Sequence, residues 1–356
     1  MKKLDVTIPT NYNATFFYAL PTAVILAKPE LTDWYNLHYV DLLGYKVSGN
    51  YQFRIPDAPS YIDRTLHATD VVQFDEQDLT NFEVKDIIQL IRTYINSEKY
   101  IVLYINEQFL SVSLFRSIHE VLVYGYDDDL QEVLVLGMDL HKKYSFRSIP
   151  YWEIKEAFSG YVMSDTKKKR IISFVAGEMT HAITASIKGT GFHLANGYNE
   201  KHLISKIHHY LNGTCSLGAV QLNEHANIFR NGDVVAGINT IQLLKKYTEG
   251  LCMGESSYNF NHPFFFWNHA KGMKEKLMYA YYKTNNELFG KASIQYSEVI
   301  SIAEKIKNIF LKSYLVNGEN AYLCKRDKDR LLANMNMYSE NEFDILSNLC
   351  ADYDAR

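Results

Sequence analysis

The sequence predicts an α+β fold, with an N-terminal helix and an antiparallel sheet over residues 1–177 and a mostly α-helical domain over residues 178–356. Three observations point there. Residues 117–139 read as a hairpin: 120–126 and 132–138 are apolar and β-branched, and Gly125 and Asp127-Asp128-Asp129 punctuate them. The segment 15–27 is apolar on nearly every side, the pattern of a buried helix. From about residue 178 the apolar residues recur at helical spacing.

Taken in order, residues 1–13 are polar and extended. The helix that follows has Asn13 or Thr15 as its cap, and Pro21 inside it predicts a kink or a late start. Residues 30–43 look helical and stop at Gly44, and 45–55 alternate as a strand does. Residues 82–95 carry the clearest helical spacing, ended by Asn96 and Ser97, and 100–105 form a buried strand. After the hairpin come a short helix over 152–158 and a strand over 170–175 that could finish the sheet. Helices are expected at 199–211, 237–247, 263–282 and 294–314.

Composition narrows the function classes. The 356 residues include 47% hydrophobic and 22% charged side chains, an ordinary globular balance. A net charge of −4 gives no general basic field for nucleic acid, and the one basic run, 167–170, reads as a solvated strand entry. The 27 tyrosines suit either an aromatic cleft or a tyrosine-rich core. Cys215, Cys252, Cys324 and Cys350 lack metal or disulfide spacing, as expected of reduced thiols. With neither an apolar leader nor a membrane-length apolar run, the expectation is a soluble cytoplasmic protein without membrane partners. His202, His208 and His209 are poorly spaced for one metal face, and neither metal nor cofactor is expected. His38, His67 and His141 read as surface or packing histidines.

His119 opens the first hairpin strand and Asp139 closes the second. A hairpin returns its end to its start, so the two can meet as a base and its orienting carboxylate, the last two members of a nucleophile–base–orienter triad. A purely structural role at two strand ends is the plainer reading of the same pair.

The phrase His119-Glu-Val-Leu-Val-Tyr-Gly-Tyr-Asp-Asp128, a second strand and then Asp139 resembles the His/Asp half of papain-like folds of the C39-peptidase-like type. It is most similar to the acyltransferase family of butirosin biosynthesis, which includes the cysteine-protease-like amide synthetase of closthioamide assembly. Residues 144–158 and 265–278 continue the resemblance, with the close match confined to 117–158.

The resemblance implies a papain-like fold with a catalytic cysteine leading the buried N-terminal helix. There the helix dipole and backbone N–H groups lower the thiol pKa and help bind an oxyanion. In this chain that place falls at Asn13-Ala14-Thr15, so Ala14 stands where the nucleophile belongs. Three readings of Ala14 stand open: a cysteine-to-alanine substitution, a natural loss of the nucleophile, or a nucleophile elsewhere, with Cys215 the best of the four cysteines. Asn11 or Asn13 would donate to the oxyanion. The implied reaction takes an acyl group from the phosphopantetheine thioester of a carrier protein, through an enzyme thioester, to a small amine. The helical domain would cover the cleft and shape the substrate pocket. The alternative is a natural pseudoenzyme that binds a ligand or peptide in the old cleft.

Overall fold

The computed structural model describes residues 1–11, 15–47, 49–61, 71–79, 86–111, 117–139, 143–164, 169–176, 198–214, 234–259, 261–318 and 323–356. In chain order the elements are β1 (Lys2–Lys3), α1 (Phe16–Ile25), α2 (Thr32–Leu37), β2 (Leu43–Val47), β3 (Asn50–Arg54), β4 (Val72–Asp78) and α3 (Ile87–Asn96). Then come β5 (Tyr100–Asn106), β6 (Ile118–Asp127), β7 (Glu132–Met138), β8 (Tyr144–Pro150), α4 (Tyr151–Val162) and β9 (Arg170–Ala176). The remainder is α5 (Glu200–Leu211), β10 (Val234–Ala236), α6 (Thr240–Met253), α7 (Asn261–Thr284), α8 (Glu287–Asn317) and α9 (Lys325–Asp354). The chain is α+β, with antiparallel sheets and a mostly helical C-terminal region. Among the described residues, no helix is long and apolar enough to cross a membrane.

Two compact units divide the chain: Met1–Thr32, Pro59–Ile62 and Thr69–Thr190 form the first, and Asp33–Ala58, Asp63–Ala68 and Gly191–Arg356 the second. The single division expected at residue 177 is therefore not what is found: 33–58, expected in the first domain, group with the helical half. The reason is pairing: β2 and β3 form a hairpin, and β10 joins β2 from far along the chain, in the order β10-β2-β3.

The first unit is built on a sheet in the order β4-β9-β5-β6-β7-β8, with β1 paired to β6. All its ladders are antiparallel. The β6–β7 hairpin matches the expected strands within two residues. Its turn closes on the Asp127 carboxylate, whose Oδ1 accepts the N–H groups of Asp129 at 3.0 Å and Leu130 at 3.2 Å. Strand β9 lies inside the sheet, between β4 and β5, rather than finishing its edge. One face of the sheet, including Ile101, Leu103, Ile105, Val121, Val123, Val133 and Val135, is buried with Ile87, Ile91 and Ile95 of α3 and Ile154, Ala157 and Phe158 of α4. Among the described residues, none from Phe17 to Ile25 is in that cluster.

Helix α1 begins directly after Thr15 and runs through Pro21, so the late start expected from the proline does not occur. Its interior residues Ala19, Leu20, Ala23, Val24 and Ile25 are fully buried, which offsets the backbone bond that proline removes.

Two local expectations need revision. The helix expected over 30–43 ends at Leu37, because Tyr39 takes the left-handed conformation with φ 63°. The chain is held there by Asp57, which accepts the Val40 and Asp41 N–H groups at 3.1 Å each. The alternating run 45–55 is two short strands, turning at Gly49 with φ 83°.

In the second unit α7, α8 and α9 pack in sequence, and α9 also packs on α5 and α6. Helix α9 was not expected from the sequence. Its apolar stripe, Leu331, Met335, Tyr338, Leu346 and Leu349, is interrupted at Glu342, which is fully buried.

Candidate functional site

The β6–β7 register pairs Leu122 with Leu136 and Val123 with Val135. The paired ladder ends there; continued three residues outward, the same register would set position 119 opposite position 139. The first strand presents His119 beside Ile105 of β5. Alternation then places His119 on the face of Val121 and Val123, the face that α3 and α4 cover. The imidazole is half-buried, with its Nε2 3.4 Å from Ser117 Oγ and, among the described residues, no hydrogen bond to its Nδ1. Burial holds its pKa below the ordinary histidine value, while the Glu107 carboxylate pulls it up.

Asp139 caps the far end of β7. Its N–H donates to the Lys143 carbonyl at 2.8 Å, and its Oδ1 accepts the Lys143 N–H at 3.0 Å. The carboxylate is thereby fixed at the mouth of the β7–β8 connection, one position beyond Met138.

Two residues that sequence reasoning missed complete this end of the sheet. Glu107 follows β5 and is almost fully buried, at 1% exposure. Arg147 of β8 brings its Nη1 to 3.7 Å from Glu107 Oε1 and donates to the Met138 carbonyl at 3.0 Å. One guanidinium thus ties the turn after β5 to the residue before Asp139. Glu107 carries no sequence signal, because an acid after a strand ordinarily faces water; here Arg147, forty positions on, stands against the buried acid.

The opposite sheet face holds a second polar group. Glu120, next to His119, is raised above the ordinary carboxylate range by burial, with the Arg170 guanidinium acting against it. Tyr61 and Tyr144, both buried, and Tyr104 have hydroxyl pKa values raised by burial first and by Glu120 second.

Of the oxyanion candidates, Asn11 is described and Asn13 is not. Asn11 is 1% exposed, and neither its Nδ2 nor its Oδ1 has a hydrogen-bond partner. An unpaired buried amide costs on the order of 1–3 kcal/mol. Helix α1, which begins four residues after Asn11's neighbour Tyr12, packs against β6. Ala14 lies outside the described residues, as do His67, His141, Cys215 and 167–168 of the basic run.

The helical unit holds the other sequence candidates apart. His38 is buried and stacks on Trp34 with ring centroids 3.9 Å apart, a packing histidine as expected. On α5, His208 Nε2 lies 3.1 Å from Asp354 Oδ2 and His209 Nδ1 lies 3.1 Å from Thr214 Oγ1, while burial pushes His202 down to about 4. Among the described residues, no three His, Cys, Asp or Glu side chains gather as a metal site.

The described cysteines lie in this unit too. Burial raises the Cys252 thiol and pushes Cys350 up to about 12, and Cys324 is exposed. Cys324 is the N-cap of α9, but its Sγ lies 3.4 Å from Asp327 Oδ2, an acid that works against thiolate, and Cys252 and Cys350 lie far from the starts of their helices.

A scan against protein-family models and a search of curated proteins found no match to this chain.

Proposed function

We propose that the chain is a papain-like acyltransferase scaffold whose nucleophile position is Ala14, with His119 as the base and Asp139 as its carboxylate. The donor would be an acyl thioester on the phosphopantetheine arm of a carrier protein, and the acceptor a small amine. The supporting observation is the β6–β7 register, which ends at Leu122 opposite Leu136 and, continued to the strand ends, would bring positions 119 and 139 opposite each other. The buried, unpaired Asn11 amide is a second support, since an oxyanion would satisfy it.

With a cysteine at position 14 the steps follow from the groups. His119 takes the thiol proton, and sulfur attacks the thioester carbonyl. The tetrahedral oxyanion accepts the Asn11 N–H. The carrier thiolate leaves with the proton from His119, and the acyl group stays as an enzyme thioester. The amine then attacks, His119 takes its proton, and the enzyme thiol is expelled as the amide forms. Thioester exchange is nearly isoenergetic, so positioning the amine and excluding water are the main tasks.

A second reading, a pseudoenzyme that binds ligand without turnover, is favoured by Ala14 together with the unactivated thiols of Cys252 and Cys350. One experiment separates the two. Ala14→Cys is incubated with an acyl thioester and an amine, and the intact protein mass and the amide product are followed. A mass increase equal to the acyl group, lost on adding amine, supports the acyltransferase. Thioester binding to the parent chain without acylation of the variant supports the pseudoenzyme.

A further inference from the structure

Helices α8 and α9 pack against one another in the second unit. A groove of about 410 Å³ runs between them. Its α8 wall is Lys305, Asn308, Ile309 and Lys312, spaced so that one stripe of the helix faces it. Its α9 wall is Asp327, Arg330 and Asn334, again at helical spacing. Three cations thus meet one acid, in a chain whose net charge is −4. The surrounding sequence carries the same bias: residues 305–330 hold seven Lys and Arg against three Asp and Glu. These cations keep their capacity. Among the described residues, no acid lies within ion-pair reach of Lys305 or Lys312, and the nearby Glu304 is taken by Lys307 at 3.4 Å. Arg330 brings Nη1 to 3.7 Å from Asp327 Oδ1, too long for a hydrogen bond, so its planar fork of donors stays open. Asp327 is engaged from its other oxygen by the Cys324 thiol, 3.4 Å from Oδ2.

We propose that the α8–α9 groove binds a small organic diphosphate. Arg330 takes one phosphoryl group through its fork, which fits two phosphate oxygens at once. Lys305 and Lys312 act as point charges along the α8 wall. Seven residues of helix separate them by about 10 Å along the axis, a span that a single phosphate does not bridge. The Asn308 amide adds a neutral donor, and Ile309 gives the organic part an apolar contact. Three cations over two helical turns answer the charge of one diphosphate rather than the repeating phosphates of a nucleic acid, and the net charge of −4 argues the same way. Gathering like charge on facing walls is unfavourable in the chain alone, and a multivalent anion relieves it. The proposal stands apart from the acyltransferase reading and uses none of its residues.

The test uses the full chain and inorganic pyrophosphate, titrated by calorimetry at low and at physiological salt. One saturable site is expected, weakened by salt. Arg330→Gln, and Lys305→Gln combined with Lys312→Gln, should each weaken it by at least about tenfold. Arg330→Lys keeps the charge but loses the fork, and should restore only part of the affinity. Lys291→Gln removes the same charge at an exposed position elsewhere on α8 and should leave binding unchanged. The parent chain supplies a readout that needs no variant: pyrophosphate should protect Lys305 and Lys312 from reductive methylation while Lys291 stays reactive. No saturable binding, an equal loss in Lys291→Gln and Arg330→Gln, or equal protection of the three lysines overturns the proposal. Sulfate bound as tightly as pyrophosphate overturns the diphosphate assignment. Poly-glutamate that displaces pyrophosphate at a lower concentration of charge overturns it too, and marks the groove as a docking face for an acidic protein.

Discussion

Tyr210 donates its hydroxyl to Glu342 at 2.7 Å in the interior of the helical unit, joining α5 to α9. Tyr338 donates to the same carboxylate at 3.1 Å, and Tyr296 of α8 donates to it as well. Three tyrosines on three helices thus converge on one fully buried acid. Burial nevertheless dominates, pushing Glu342 up to about 7 from an ordinary value of 4.5. Between these values the folded chain holds a proton that the unfolded chain has released. Stability therefore falls as pH rises through that window. The rise corresponds to about 3 kcal/mol. Glu342→Gln should abolish this part of the slope. The measurement is denaturant unfolding at pH 4.5, 6 and 7.5, reading the difference between parent and variant. Parallel pH profiles would refute the assignment.

Gly125 permits the close approach of β1. A Cβ there would lie 2.7 Å from the Lys2 carbonyl oxygen and 2.9 Å from Lys3 Cβ. The glycine also sits at a register shift in the β6–β7 ladder, where Tyr124 accepts the Leu4 N–H at 2.7 Å. Gly125→Ala should push β1 off β6 at a cost of about 1–3 kcal/mol. Hydrogen exchange is the sharpest readout: the Leu4 amide should lose protection while Val121 and Val123 keep theirs.

These elements differ in how plainly the sequence announces them. The β6–β7 hairpin is legible because both strands are continuous apolar runs and the turn is three consecutive acids. Asp139 and His119 are legible because they end those strands. Helix α9 is obscured by Glu342, a charged residue in the apolar stripe, whose burial depends on tyrosines from α5 and α8. The end of α2 is obscured because Tyr39, with no glycine to mark it, adopts a left-handed backbone. The β2–β3 hairpin passes for one strand because its turn is so short. Glu107 and Arg147 are illegible for the same reason as Glu342: long-range pairing, not local pattern, makes a buried charge tolerable.

Asp57 is the hub of a further buried pair. Its Oδ2 lies 2.8 Å from Lys206 Nζ, and it also accepts the Val40 and Asp41 N–H groups. Both side chains are nearly fully buried. Asp57→Ala leaves an uncompensated ammonium and two unmatched N–H groups, and should cost about 3–5 kcal/mol. Lys206→Met leaves Asp57 with both backbone donors and should cost clearly less. Thermal unfolding of the two variants checks the order; equal losses would show that the backbone bonds contribute little.

The thiols offer a chemical test that begins with the chain as it stands. Only thiolate reacts with an alkylating reagent, so rate follows thiolate population and access. Cys350 is buried and pushed up to about 12, which leaves almost no thiolate near neutral pH. Cys252 is raised by burial to a lesser degree, and Cys324 is exposed with its Sγ 3.4 Å from Asp327 Oδ2. Among these three, Cys324 should label first and Cys350 last. In Ala14→Cys the introduced thiol should outpace Cys324, because the reading places it at a helix start with His119 as its partner. His119→Ala in that background should slow both labelling and acyl transfer. Asp139→Asn should leave the thiol modifiable but impair turnover, since the imidazole loses its stabilising charge. Site-resolved mass spectrometry after brief exposure to iodoacetamide gives the order of labelling. An introduced thiol slower than Cys324, and unaffected by His119→Ala, would separate position 14 from His119 and leave the binding reading in its place.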